Sequence, residues 1–171
     1  AEKMLDLIVR NGFIVDGTGE KAPYAGEVGV KDGKIAVIAE HINEEAKQIL
    51  DAKGHDIAPG FLDVHRHADV KILDENFGEV ELRQGITTIV GGQCGLSIVP
   101  CLDKYKAEMF SFLQPIVGSI DVNCGFNTFE EYINKINEHD IRINYGCCIG
   151  NGATKSFCFY PNKNRGNNTD E

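Results

Sequence analysis

Two histidines, His65 and His67, are separated by one residue in the run Asp-Val-His-Arg-His that begins at Asp63. Side chains alternate between the two faces of a β-strand, so on a strand all three residues would point the same way. Two imidazoles one strand repeat apart can bind a single metal ion, and a carboxylate beneath them can accept a hydrogen bond from a ligand imidazole. The spacing alone also fits two surface histidines on an exposed strand.

Two longer stretches around these histidines resemble a known family. Pro-Gly-Phe-Leu-Asp-Val-His-Arg-His at residues 59–67 resembles the first barrel strand of the amidohydrolase superfamily, metal-dependent hydrolases with a (β/α)8 barrel and a small β-sandwich. Residues 82–97, which contain Arg-Gln-Gly-Ile-Thr-Thr and Gly-Gln-Cys-Gly-Leu-Ser, resemble the N-acyl-D-amino-acid deacylases of that superfamily. The opening at residues 5–19 is also similar, so the resemblance covers residues 4–151 and indicates the N-terminal portion of such an enzyme.

The resemblance implies an α/β fold in two parts. Residues 1–57 would form N-terminal strands of the β-sandwich, and residues 58–171 the first strands and helices of an incomplete (β/α)8 barrel. The sequence pattern agrees, because hairpin signals such as Asp32-Gly33 give way after Pro59 to strand–helix alternation. A complete barrel needs about 250 residues. We therefore expect a fragment, a piece of a nicked enzyme or a shortened relative.

The resemblance also implies a zinc site. The deacylases use a cysteine after the second barrel strand as a metal ligand, and Cys94 matches that position. Because the active sites of such barrels lie at the C-terminal ends of the strands, His65, His67 and Cys94 are the expected Zn²⁺ ligands. The alternative for Cys94 is a small residue that fills a tight turn. No catalytic residue is expected in this chain, since the family's remaining histidines and its general-base aspartate would lie beyond residue 171.

Three polar residues near these positions have open roles. Asp63 either orients a ligand imidazole or serves only the structure. Asp69 is expected to be a solvated carboxylate rather than part of the metal loop. Ser97 is expected to form a turn rather than to contact substrate.

The implied reaction is zinc-dependent hydrolysis of the amide bond of N-acyl-D-amino acids, which releases a D-amino acid and a carboxylate. The alternatives are another cyclic-amide hydrolase of the dihydroorotase or hydantoinase kind, and a non-catalytic fragment that acts only with a complementary chain. Asn151 and Lys155 stand where the deacylases usually have His and Arg, and Arg66 stands where a small polar residue is common. The first two departures bear on the substrate more than on the metal.

Composition limits the partners. A formal net charge of −9 argues against nucleic-acid and acidic-membrane binding. No signal-peptide pattern or membrane-spanning run is present in the sequence, so we expect a soluble, cytoplasmic protein with six reduced cysteines. The expected partners are a small-molecule substrate and the remainder of its own polypeptide, and an oligomer is compatible with the sequence.

Helices and strands are predicted around the site from periodicity and capping. Helices are expected at about 74–84, with Phe77, Val80 and Leu82 inward, at 102–117, and after the capping box that begins at Thr128. Barrel strands are expected at 60–67, 86–90 and 141–149. Residues 168–171 have the pattern of a further helix start.

Overall fold

The computed structural model of the protein describes residues 4–159, apart from the side chains of Phe157 and Phe159. The predicted helix start at 168–171 lies outside the described residues. The chain divides into two compact units between Pro59 and Gly60.

The first unit is a five-stranded sheet. Its strands are β1 (Leu5–Ile14), β2 (Tyr24–Lys31), β3 (Lys34–Ala39), β4 (Ala46–Asp51) and β5 (Asp56–Ile57). The order is β3-β2-β1-β4, with β5 also paired to β1. The β1–β2 and β2–β3 pairs are antiparallel, whereas β4 and β5 run parallel to β1.

Local sequence explains two features of this sheet. Asp32 and Gly33 both have positive φ, of 50° and 72°, as a tight hairpin turn between β2 and β3 requires. Strand β1 continues past Asn11, because a register shift between Val9 and Gly12 allows its pairing with β2 to resume. Leu5, Ile8 and Ile42 form the buried core of the unit.

The second unit alternates strands and helices. It contains β6 (Phe61–Asp63), a 3₁₀ turn (Lys71–Leu73), α1 (Glu79–Arg83), β7 (Ile86–Gly91), a second 3₁₀ turn (Gln93–Gly95), α2 (Asp103–Val117), α3 (Phe129–Ile136), β8 (Asn144–Cys147) and α4 (Asn151–Phe159). Strands β6, β7 and β8 form a parallel sheet in that order. The fold is therefore mixed α/β, and the three strands described here form an open sheet rather than a closed barrel.

The core of the second unit lies among α2, α3 and the loops that lead to them. Its most deeply buried members are Ile72, Ile98, Val99, Phe126 and Tyr132. The predicted capping box is confirmed: Thr128 accepts a hydrogen bond from Glu131 N, and the Glu131 carboxylate accepts one from Thr128 N. Helix α3 can thus begin at Phe129 and place Tyr132 in the core.

Some predicted elements were too long. The helix predicted at 74–84 is reduced to α1, because Asn76 and Gly78 have positive φ, of 60° and 111°, which a right-handed helix does not accommodate. Of the residues predicted to face inward, Phe77 packs against the core, whereas Val80 and Leu82 are exposed and Glu81 is buried instead. The strand predicted at 141–149 is shortened to β8.

Candidate metal centre

The two histidines lie on a loop rather than on a strand. Strand β6 ends at Asp63, so the predicted strand at 60–67 was wrong for its second half. Asp63 Oδ1 accepts a hydrogen bond from the backbone N of His65 at 3.2 Å, and Arg66 N donates to Val90 O at 3.1 Å. These bonds keep the His65–His67 segment beside the end of β7. Asp63 therefore holds the backbone of His65.

Arg66 fixes the same loop from its other side. Its Nη2 donates to Glu81 Oε1 at 2.6 Å, and its Nη1 lies 3.6 Å from Asp63 Oδ2. Glu81 is only 4% exposed. A buried carboxylate needs a charged partner, and Arg66 supplies it. No pattern in the sequence indicated this pair, because an acid in a short helix is normally a surface residue.

Cys94 lies on the loop that follows β7. The 3₁₀ turn at Gln93–Gly95 is made by residues with left-handed backbone, with φ of 70° at Gly92, 56° at Cys94 and 74° at Gly95. Glycine adopts this conformation freely, whereas cysteine does so at an energetic cost. A Cβ on Gly92 would also overlap the carbonyl oxygen of Cys148, so this position requires glycine.

The structure brings together all three side chains that the sequence singled out. His65, His67 and Cys94 each offer one ligand atom, and these atoms all lie within 4.8 Å of one another. His65 Nε2 is 3.1 Å from Cys94 Sγ. In a tetrahedral zinc site with bonds of about 2.0–2.3 Å, a nitrogen and a sulfur ligand lie roughly 3.6 Å apart. The cluster therefore needs only small side-chain shifts to fit one ion, and its donor set of imidazole and thiol suits zinc.

Asp69 connects the two loops and is not the solvated carboxylate that the sequence predicted. Its side chain is fully buried, at 0% exposure, and Oδ1 accepts a hydrogen bond from Gly92 N at 2.9 Å. Burial raises the pKa of Asp69, while hydrogen bonds from the backbone N–H groups of Asp69 and Gly92 oppose that rise. Asp69 Oδ2 and His67 Nδ1 are both buried without a hydrogen-bond partner among the described residues.

Two tyrosines support Asp69 from the core. The Tyr132 hydroxyl donates to the backbone O of Asp69 at 2.6 Å and lies 3.0 Å from the Tyr145 hydroxyl. Burial raises the pKa of both phenols above the usual range, so both are neutral hydrogen-bonding groups. No pattern in the sequence indicated this link.

Ser97 has a structural contact. It is buried, its Oγ accepts from Gly150 N at 2.9 Å, and its hydroxyl donates to Val99 O. This joins the loop after Cys94 to the start of α4, in keeping with the expected turn-forming role. Asn151 and Lys155 are exposed residues of α4.

Comparison with known proteins identifies relatives of this chain. No family model matches it. An N-acyl-D-glutamate deacylase from Alcaligenes xylosoxydans xylosoxydans is 37% identical over 99 residues, which cover 58% of this chain and 20% of that protein.

None of the helices found between residues 4 and 159 is long and apolar enough to cross a membrane.

Solved structures give the same family. The N-acyl-D-glutamate deacylase of Bordetella bronchiseptica, complexed with zinc and a phosphonate inhibitor that mimics the tetrahedral intermediate, matches with a TM-score of 0.74 and 30% identity. A D-aminoacylase studied for its binuclear metal centre matches with a TM-score of 0.73 and 25% identity. The matches cover 90% and 89% of this chain but 31% of each relative.

By sequence and fold, most of the chain is similar to deacylases of the amidohydrolase superfamily. The resemblance found in the sequence is thereby confirmed. The chain spans less than a third of the length of these relatives.

Proposed function

We propose that this chain supplies part of the metal centre of a zinc-dependent enzyme that hydrolyses the amide bond of N-acyl-D-amino acids. The observation that carries the proposal is the convergence of His65, His67 and Cys94 within 4.8 Å of one another. Both solved relatives are metal enzymes, and one of them is complexed with zinc.

The proposed architecture is the start of a small β-sandwich followed by the start of a (β/α)8 barrel. The parallel order β6-β7-β8 supports it, because successive parallel strands joined by helical connections are the building unit of that barrel. The two ligand loops follow β6 and β7, at the carboxyl edge of the sheet. Barrel enzymes place their active sites at this edge.

The three side chains have a direct role in this function. The imidazoles of His65 and His67 and the thiolate of Cys94 would hold the ion, and the strained turn at Cys94 keeps its sulfur 3.1 Å from His65. A zinc ion supplies Lewis acidity, which polarises the substrate carbonyl and lowers the pKa of a bound water. The Arg66–Glu81 pair and Asp63 keep the histidine loop in place.

A proton carrier must come from elsewhere in the enzyme. Amide hydrolysis needs a group that accepts a proton from water and returns it to the leaving amine. Among residues 4–159 the metal cluster contains no Asp or Glu. We therefore propose that the general-base aspartate, and the remaining metal ligands, belong to a part of the enzyme outside these residues.

The proposed substrate is a small N-acyl-D-amino acid. Support comes from the relatives, which include deacylases for N-acyl-D-glutamate and N-acyl-D-aspartate and a D-aminoacylase. The exposed Asn151 and Lys155 stand where those enzymes usually have His and Arg. The preferred substrate side chain can therefore differ from that of those enzymes. The six free thiols support a cytoplasmic location, where cysteines remain reduced.

The experiment that tests the function uses the full polypeptide that contains this chain. Purified protein is assayed for release of D-amino acid from N-acetyl-D-methionine and N-acetyl-D-glutamate, before and after chelation and zinc return. The expected result is turnover that chelation abolishes and zinc restores, and that falls at least 100-fold in Cys94→Ala. Chelator-resistant turnover, or near-wild-type activity of Cys94→Ala, would remove the proposed metal site from the reaction.

A further inference from the structure

We propose that Asp69 is a positioning residue that joins the two ligand loops, with one carboxylate oxygen on the cysteine loop and the other on the ring of His67. The inference rests on the proposed metal site, and it assigns Asp69 no contact with substrate. It is carried by the full burial of Asp69, its bond to Gly92, and two unpaired buried atoms.

The link to the cysteine loop is already formed. Asp69 Oδ1 accepts from Gly92 N at 2.9 Å, two residues before Cys94. Gly92 cannot move away easily, because its Cα packs directly against the backbone of Cys148. The backbone of Asp69 is in turn fixed by the Tyr132 hydroxyl at 2.6 Å. Asp69 thus sets the position from which the turn at Gln93–Gly95 starts.

The link to His67 pairs two atoms that otherwise lack partners. Asp69 Oδ2 is a buried acceptor and His67 Nδ1 a buried ring nitrogen, and neither has a hydrogen-bond partner among the described residues. Buried polar atoms without partners are rare, because each has lost its hydrogen bonds to water without gaining a replacement. Only Ala68 separates the two residues in the chain. A bond from Nδ1–H to Oδ2 satisfies both atoms and leaves His67 Nε2 for the metal.

Such a bond has a defined consequence for metal binding. A ligand histidine that donates its second N–H to a carboxylate has a fixed tautomer and ring orientation, and losing the carboxylate typically lowers metal affinity about 10- to 100-fold. Because the same carboxylate holds Gly92, it couples the orientation of the His67 ring to the placement of Cys94.

The first test measures zinc affinity of the purified 171-residue chain and its variants by competition with a chromophoric chelator. Asp69→Asn keeps the size and can still accept from Gly92, but it then presents an NH₂ group to the N–H of His67. We expect affinity at least 10-fold below that of the wild type. Thr128→Ala is the matched control, since it loses a helix cap without touching the cluster and should bind zinc normally.

Three results of this test would overturn the inference. Equal zinc affinity of Asp69→Asn and wild type removes Asp69 from the site but leaves the proposed function intact. An equal loss in Thr128→Ala shows that reduced stability alone explains the effect. If the wild-type chain binds no zinc, the inference fails, while the activity assay of the full polypeptide decides the proposed function separately.

The second test does not depend on the folding of a variant. In zinc-loaded, ¹⁵N-labelled wild type, the His67 Nδ1–H should give a downfield proton that exchanges slowly with water, assigned through its couplings within the His67 ring. Absence of a protected Nδ1–H in the loaded wild type contradicts the bond to Asp69.

Discussion

At the scale of single residues, Cys94 adopts a backbone conformation that is unfavourable for a residue with a side chain. Its φ of 56° lies in the left-handed region, where a side chain costs roughly 1–2 kcal/mol relative to right-handed backbone. The side chain is exposed, so burial does not offset this cost. Strained residues of this kind cluster at functional sites. Here the strained backbone places the Cys94 thiol beside two imidazoles.

The first prediction separates stability from metal binding at this position. The free energy of unfolding of Cys94→Gly in urea should equal that of the metal-free wild type or exceed it by up to about 1 kcal/mol, because glycine adopts positive φ without strain. It should also lose zinc binding. The bulky β-branched Cys94→Val serves as a control and should be less stable than both. A clear loss of stability in Cys94→Gly would show that the thiol serves the fold.

The second prediction concerns Arg66 and Glu81. Arg66→Met leaves a buried carboxylate unpaired and should lower the free energy of unfolding by about 2 kcal/mol. This is less than the 3–5 kcal/mol typical of a fully buried pair, because the Arg66 side chain remains 37% exposed. Adding Glu81→Gln should recover much of the loss, since the neutral amide tolerates burial better. The measurement is a double-mutant cycle in urea, and additive losses would show that the pair is not coupled.

At the scale of elements, the sequence predicted which strands carry the site better than it predicted where they end. Alternation placed His65 and His67 on one face of a strand, yet β6 stops at Asp63. The ligands still converge, because β6 and β7 are parallel and their following loops leave the same edge of the sheet. The β-branched run at 86–90 predicted a buried strand there, whereas strand ends depend on hydrogen bonds such as Arg66 N to Val90 O.

Buried polar contacts were the part of the site that sequence could not reveal. Asp69 and Glu81 look like ordinary surface acids, and only the chain's three-dimensional path buries them. Their partners, Gly92 and Arg66, lie 23 and 15 residues away. Periodicity describes residues within one element and therefore cannot find such links. The capping box at Thr128, by contrast, is local and was predicted correctly.

The third prediction tests the turn that positions Cys94. Gly92→Ala should destabilise the second unit by more than about 2 kcal/mol, because the added methyl group meets the Cys148 backbone and positive φ strains alanine. Gly118→Ala is the matched control, since Gly118 also has positive φ but its added methyl group meets open space. Urea unfolding compares the two. Equal losses of stability in the two variants would show that backbone strain alone causes the effect, without a contribution from the contact with the Cys148 backbone.

At the scale of the whole molecule, the described residues leave apolar surface exposed. In the first unit Ile35, Ile49 and Leu50 are exposed, and in the second Phe61, Leu62 and Val64 are exposed on or beside β6. Contiguous exposed apolar residues and free strand edges favour association. Since the relatives are more than three times longer than their matching parts, further polypeptide is the proposed cover for these surfaces.

The fourth prediction follows for the 171-residue chain by itself. It should show no hydrolysis of N-acetyl-D-methionine, bind zinc more weakly than the full polypeptide, and associate with increasing concentration in light scattering. The reason is that the proposed base and further ligands lie outside residues 4–159. Chelator-sensitive turnover by this chain would show that it holds a complete active site.

The most direct test of the metal centre is protection of Cys94 by zinc. The chain is treated with iodoacetamide with and without zinc, and alkylation of each cysteine is quantified by peptide mass spectrometry, with the exposed Cys148 as internal control. A zinc-bound thiolate is shielded, so zinc should slow alkylation of Cys94 at least 10-fold and leave Cys148 unchanged. The protection should disappear in the His65→Ala/His67→Ala variant. Alkylation of Cys94 at the same rate with and without zinc would contradict the site proposed here.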